Sequence, residues 1–350
     1  MSSSLAPVAV SVVGAGLIGA RHVAHVAAEP TTRLHSVVDP TEAGRALAAA
    51  HAVPWFPDIA AMLAAGKPDA AIVATPNRLH VEHGLALIAA GVCALVEKPL
   101  ADDLASGARL VAAAERAGVA LLTGHHRRHN PLIARAKALI EEGRLGRIVA
   151  VHGFFWLMKP DDYFDAGWRR EPGAGPILLN LIHDVDLMRH LCGEIVEVQA
   201  LVSNAARGFA VEDTAAVLLR FANGALGTIS ISDTAVAPWS WEMTAGENPA
   251  YPPTGELCLT IGGARGSLSI PRLDLWSYEG AKSWFAPIGV ARVVAPPEED
   301  ALRLQARQLA RVARGLEPPL VSGRDGLATL RVVDAISRAA REGGRVAVGD

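Results

Sequence analysis

From Val8 to Leu122, short and wholly apolar runs alternate with alanine-rich stretches of helical length, and this rhythm restricts the fold more than any other feature. The runs are Val8–Val13, Leu34–Val38, Ala70–Ala74, Val92–Val96 and Val119–Leu122. Between them lie Leu17–Ala28, Glu42–His51, Ile59–Ala65, Leu79–Ala90 and Leu104–Ala117. A strand apolar on both faces has to be covered on both, as parallel strands are when each crossover is a helix. Gly66, Gly91 and Gly118 stand where three helical stretches stop. The expectation is an α/β, doubly wound parallel sheet over residues 1–124.

Past Gly124 the rhythm changes. A helix near Pro131–Glu142 precedes a strand at Arg147–Trp156, a loop at Pro160–Pro176 and a helix at Ile177–Leu191. Strands follow at Ile195–Ser203, Thr214–Phe221, Ala225–Ser232, Glu256–Ile261 and Gly266–Ile270, then helices at Asp300–Arg314 and Gly326–Arg341. Asn223-Gly224 is a hairpin turn signal. Residues 125–350 therefore read as one α+β domain, a large and mostly antiparallel open-faced sheet with helices on one side.

The first apolar run leads into Gly14-Ala15-Gly16-Leu17-Ile18-Gly19 and then a helix. Gly14 suits the tight turn, Gly16 lets backbone approach a pyrophosphate, and Gly19 lets helix pack on strand; the helix N-terminus offers N–H groups to the anion. Asp39 ends the second strand, placed to bond ribose hydroxyls and to repel a 2′-phosphate, with Pro40 and Thr41 after it and no adjacent arginine. NAD is expected in preference to NADP.

Composition narrows the partners. A formal net charge of -3 with intermixed signs leaves no basic stripe for nucleic acid. Cys93, Cys192 and Cys258 are widely spaced between apolar neighbours and read as buried free thiols. No secretory signal and no run of about 18 apolar residues is evident, so a soluble, cytoplasmic protein without a membrane partner is expected. His125, His126 and His129 cluster, but Arg127 and Arg128 between them oppose a metal ion, and no metal is expected.

A second cluster stands at strand ends, where an open parallel sheet keeps its ligand crevice: Thr75-Pro76-Asn77 with His80, and Glu97-Lys98-Pro99. With the glycine motif, the helix segment GAGPILLNLIHDVDLMRHL (173–191) and VSGRDGLATL (321–330), the chain resembles the glucose–fructose oxidoreductase/inositol dehydrogenase (Gfo/Idh/MocA) family over essentially its whole length. The resemblance implies hydride transfer between NAD(H) and a secondary alcohol or ketone of a sugar, inositol, related polyol or sugar acid. It implies Lys98 and His183 as the catalytic pair, and Thr75, Pro76, Asn77, His80 and Glu97 near the nicotinamide half of the cofactor. It also implies a cis Lys98–Pro99 bond, Arg127 at the substrate, and a homodimer or homotetramer formed by paired sheets.

Taken from the residues alone, His183 reads first as a structural helix histidine. Its ordinary pKa of about 6.5 suits proton transfer near neutrality, and Lys98 could stabilise alkoxide character on the same oxygen. Tyr163, Trp168, Arg169 and Arg170 offer rings and guanidinium forks to polyol hydroxyls or a carboxylate, or else form a surface loop. Trp239 and Trp241 fit a core, a lid or a subunit contact. Family members often carry an aspartate four residues before the histidine; here Leu179 holds that place and Asn180 follows, a residue that orients a hydroxyl but takes no proton. That departure leaves dihydrodiol or other carbonyl oxidoreduction, and a non-catalytic dinucleotide sensor, as alternatives.

Overall fold

The computed structural model of the protein describes residues 6–294 and 297–349. The chain forms two compact units. One runs to Asn130 and resumes over Glu299–Leu330; the other comprises Pro131–Glu298 and the chain from Arg331 onward.

The first unit holds β1 (Val8–Val13), β2 (Thr32–Val38), β3 (Trp55–Phe56), β4 (Ala70–Val73), β5 (Cys93–Val96) and β6 (Leu121–Thr123). They form one parallel sheet in the order β3-β2-β1-β4-β5-β6, the doubly wound dinucleotide-binding order. The crossovers are α1 (Leu17–Ala28), α2 (Glu42–Ala50), α3 (Ile59–Ala65), α4 (His80–Ala89) and α5 (Leu104–Ala117). Side chains of Thr41, Asp58 and Asp103 accept the first free N–H groups of α2, α3 and α5. The N-terminus of α1 has no such side-chain cap and no acidic residue in its first turn. β3 was not expected: two residues bonded to Val37 and Val38 carry too short a pattern to read.

The helix Ala301–Ala313 packs on α1 although it follows the second unit in sequence. Its Ala306, Leu309, Ala310 and Val312 share a core with Val10, Val12, Ile72 and Leu95. Glu29, 2% exposed, receives Arg303 at 3.2 Å and Arg307 at 3.0 Å from that helix. The segment that follows docks beside β6: Thr123 N–H donates to Val321 O, and Asp325 accepts from Ser322 and pairs with Arg128 at 3.3 Å. Residues 299–330 thus belong to the first unit rather than to the domain expected over 125–350.

In the second unit, β7 (Ile148–Trp156), β8 (Ile195–Ser203), β9 (Thr214–Phe221), β10 (Leu226–Ser232), β11 (Leu259–Gly263), β12 (Gly266–Ile270), β13 (Asp274–Ser277), β14 (Gly289–Arg292) and β15 (Arg345–Ala347) build one sheet. Its order is β14-β13-β12-β11-β7-β10-β9-β8-β15. Every neighbouring pair is antiparallel except β7 and β10, so the sheet is mixed. Along β9 from residue 215 to 221, buried and exposed residues alternate. The buried set joins the core under α6 (Pro131–Glu141) and α7 (Ile182–Cys192), while Leu201, Leu218 and Leu226 on outward positions are each more than half exposed. The helix expected over Ile177–Leu191 is not uniform: Ile177–Leu181 is a π turn, and α7 begins at Ile182. Among the described residues no helix is long and apolar enough to cross a membrane.

Candidate active site

The glycine turn lies between the ends of β1 and β4, where the strand order reverses. Gly14 adopts φ +103°, and a Cβ there would stand 2.5 Å from Ala74 O, so this turn needs glycine for both conformation and space. At Gly19 a Cβ would meet Gly14 O at 2.0 Å, whereas around Gly16 nothing lies within 4 Å. Two glycines therefore seal α1 against β1, and the third leaves its backbone open to a ligand.

A cleft of about 660 Å³ opens over this turn, lined among others by Gly14, Gly16, Asp39, Thr75, Pro76 and Arg78. One Asp39 oxygen accepts Ala15 N–H at 2.8 Å and the other accepts Thr41 N–H at 2.8 Å. Oδ1 also accepts the Thr41 hydroxyl, so the acceptor capacity left for a ribose hydroxyl is on Oδ2, the oxygen bonded to Ala15 N–H. Gly44 makes room for this carboxylate, since a Cβ at that position would lie 2.4 Å from Asp39 Cβ. The sequence reading did not single out Gly44 or Arg78; neither falls in the glycine motif. The uncapped helix N-terminus, the open Gly16 and the Asp39 carboxylate together fit a dinucleotide: N–H groups for pyrophosphate, an acceptor for the ribose.

The remaining expected cofactor residues are placed unequally. Leu17 is 93% exposed at the start of α1, with Ile18 half-buried beside it. Asn77 opens a short turn ahead of α4 and is half-buried. His80 is buried; its Nδ1 lies 2.8 Å from Pro99 O and its Nε2 2.9 Å from Thr75 O. This ring ties the end of β4 to the turn after β5. Glu97 is also buried, bonded to His22 Nε2 at 2.7 Å and to Lys98 N–H at 3.1 Å. Burial alone would raise the Glu97 pKa, but the His22 bond and the nearby charges of His22, His126 and Lys98 outweigh it and hold the carboxyl at about 2. Lys98 is half-buried at the end of β5, and its bond to Pro99 is cis. His22, on the helix after the glycine turn, is thus part of this arrangement.

Arg127 is 3% exposed in a short 3-10 turn of the first unit, so its guanidinium is a buried group. In the second unit Arg169 stacks on Tyr163 at 4.0 Å, lies 5.4 Å from the Trp168 ring centre, and donates to Tyr163 O at 2.5 Å. Trp168 remains 57% exposed. Asn180 sits in the π turn with its carbonyl oxygen buried and without a hydrogen-bond partner among the described residues. His183, 8% exposed, lies in the first turn of α7. Among the described residues no three potential ligands gather as a metal site.

This first unit is an NAD-binding Rossmann domain, and the protein is an oxidoreductase. Residues 8–125 match the family model described as "Oxidoreductase family, NAD-binding Rossmann fold", and residues 133–269 match the GFO/IDH/MocA C-terminal domain. The chain belongs to the Gfo/Idh/MocA oxidoreductase family. It is 27% identical over 332 residues to the rhizopine catabolism protein MocA of Rhizobium meliloti, covering 92% of each chain. It is likewise 27% identical to inositol 2-dehydrogenase 2 of Saccharopolyspora erythraea, over 93% of this chain and 91% of that one. Among solved structures, the WlbA dehydrogenase of Bordetella pertussis in complex with NADH and UDP-GlcNAcA superposes with a TM-score of 0.79 at 28% identity, covering 98% of this chain and 99% of that chain.

Proposed function

We propose that the protein transfers hydride between NAD(H) and a secondary alcohol or ketone of a sugar, inositol, related polyol or sugar acid. The observation that carries the cofactor half is the Asp39 carboxylate set into the cleft beside the glycine turn, which favours ribose hydroxyls and repels a 2′-phosphate. The relatives' names support the substrate half. Bound NAD supplies the hydride acceptor; the chain supplies orientation and proton handling. The α1 N-terminus and Gly16 bind the pyrophosphate, and Thr75, Pro76 and Asn77 serve the nicotinamide half of the cofactor. Lys98, at a strand end held by Glu97, stabilises charge on the reacting oxygen. His183 takes the proton, and Arg127, Tyr163, Trp168, Arg169 and Asn180 orient the substrate.

Leu179 favours a second reading. Without an aspartate one turn before His183, proton acceptance rests on the histidine alone, which suits a more acidic cyclic dihydrodiol or the reduction of a carbonyl. Turnover of a panel of polyols, sugar acids, ketones and dihydrodiols, followed at 340 nm with NAD(H) and NADP(H), separates the two readings. Tight NAD(H) binding without turnover of any member would leave a non-catalytic dinucleotide sensor. Lys98→Ala should lower kcat by roughly a hundredfold or more while leaving NAD affinity within a few fold.

We also infer a homodimer or homotetramer. The outward face of the second sheet, with Leu218 and Leu226 lining a shallow depression of about 620 Å³ and Leu201 exposed on the same sheet, is a surface suited to a second copy.

A further inference from the structure

The pair His22–Glu97 joins the helix that follows the glycine turn to the residue immediately before Lys98, across 75 positions of sequence. Both side chains are almost fully buried, at 1% and 5% exposure. The His22 ring makes this one polar contact: its Nδ1 has no hydrogen-bond partner among the described residues. The Glu97 carboxylate uses its oxygens separately, Oε1 for the His22 ring and Oε2 for the Lys98 backbone N–H. Its seat is closed from a third side by Gly124, where a Cβ would come within 2.8 Å of the carboxyl group.

As a means of fixing a helix to a strand, such a pair is poor. Taking a carboxylate and an imidazole out of water is costly, and apolar side chains of similar volume hold as well or better. What the pair does that apolar contacts cannot is direct a hydrogen-bond acceptor at one chosen N–H, that of Lys98. We infer that His22 is a positioning residue: through Glu97 it fixes the backbone at Lys98, and so couples the place of that lysine to the helix whose N-terminus receives the dinucleotide pyrophosphate. The line of contacts is continuous. Gly19 seats α1 on the turn at Gly14, His22 lies one helical turn further on the same helix, and its ring reaches the carboxylate that holds Lys98.

This inference rests on the reading of Lys98 given above, so its test includes a readout independent of turnover. His22→Leu fills the space without a donor, and His22→Gln retains a side-chain N–H. Both are made in the full chain, and their folding is checked by thermal unfolding. The acylation rate of Lys98 by acetic anhydride against pH, read by peptide mass spectrometry with and without NAD, reports the lysine's surroundings directly. In His22→Leu that profile shifts and loses its response to NAD, and kcat falls on the order of tenfold or more at little changed KM for NAD. His22→Gln restores most of both. If His22→Leu fails to fold, Glu97→Gln, which keeps shape and one acceptor, gives the same comparison. An unchanged Lys98 profile together with unchanged kcat overturns the inference. Loss of NAD affinity that His22→Gln does not repair overturns it too, because that marks a merely structural ring. If Lys98→Ala retains turnover, the catalytic reading falls, while the acylation profile still decides whether His22 positions the lysine.

Discussion

The Asp39 carboxylate accepts the backbone N–H of Ala15 at 2.8 Å, so the acidic end of the second strand and the glycine turn of the first form one hydrogen-bonded unit. Replacing the carboxylate alters the turn as well as the ribose contact. Asp39→Ala should weaken NAD binding by roughly ten- to a hundredfold, the loss of one charge-assisted bond. It should also lower the ratio of NAD to NADP use, measured as kcat/KM for each nucleotide; an unchanged ratio would show that discrimination lies elsewhere.

Gly44 is the position where the same carboxylate can be disturbed without touching it. An alanine Cβ would lie 2.4 Å from Asp39 Cβ. Gly44→Ala should raise the KM for NAD several-fold and leave the protein folded, as nucleotide titration and circular dichroism would show.

Acid stability should carry the signature of Glu97. Its folded-state pKa, about 2, lies below the ordinary 4.5, so its contribution is fully present above about pH 4.5 and is lost as pH falls towards 2. Urea midpoints measured from pH 6 downward should fall through this window, and Glu97→Gln should flatten that part of the curve.

The three cysteines are buried, and burial pushes the thiols of Cys93 and Cys192 up to about 12. The thiolate is the reactive form, so a disulfide reagent at pH 8 should find almost no thiol in the native protein and three after unfolding.

If the outward sheet face is a subunit contact, Leu218→Lys with Leu226→Lys should yield a smaller species in sedimentation velocity without loss of secondary structure. Both residues are more than half exposed in the single chain, so the change costs little to its fold.

Much of the first unit is written in its sequence, because each buried parallel strand is a continuous apolar run and each crossover an amphipathic helix. Leu17–Ala28, Ile59–Ala65 and Leu104–Ala117 fall where the pattern puts them. Strands such as Asp274–Ser277, Gly289–Arg292 and Arg345–Ala347 are three or four residues long, and too few positions repeat to show a period. The parallel pairing of β7 with β10 is a matter of topology, which alternation along either strand does not encode. At the site, Gly14, Gly19 and Asp39 announce themselves by spacing. His22 does not, since its partner lies 75 residues away, and a lone histidine on a helix carries no local sign of what it touches.

The return of residues 299–330 to the first unit has a consequence for how the protein is made. When Asn130 leaves the ribosome, the sheet face bearing Val10, Val12, Ile72 and Leu95 still lacks one of the helices that cover it. The intervening segment takes roughly ten to thirty seconds to synthesise at about 5–20 residues per second. The nucleotide-binding unit is therefore begun first and completed only after residues 131–298 of the second unit have been made. During that interval part of this apolar face stays open to solvent.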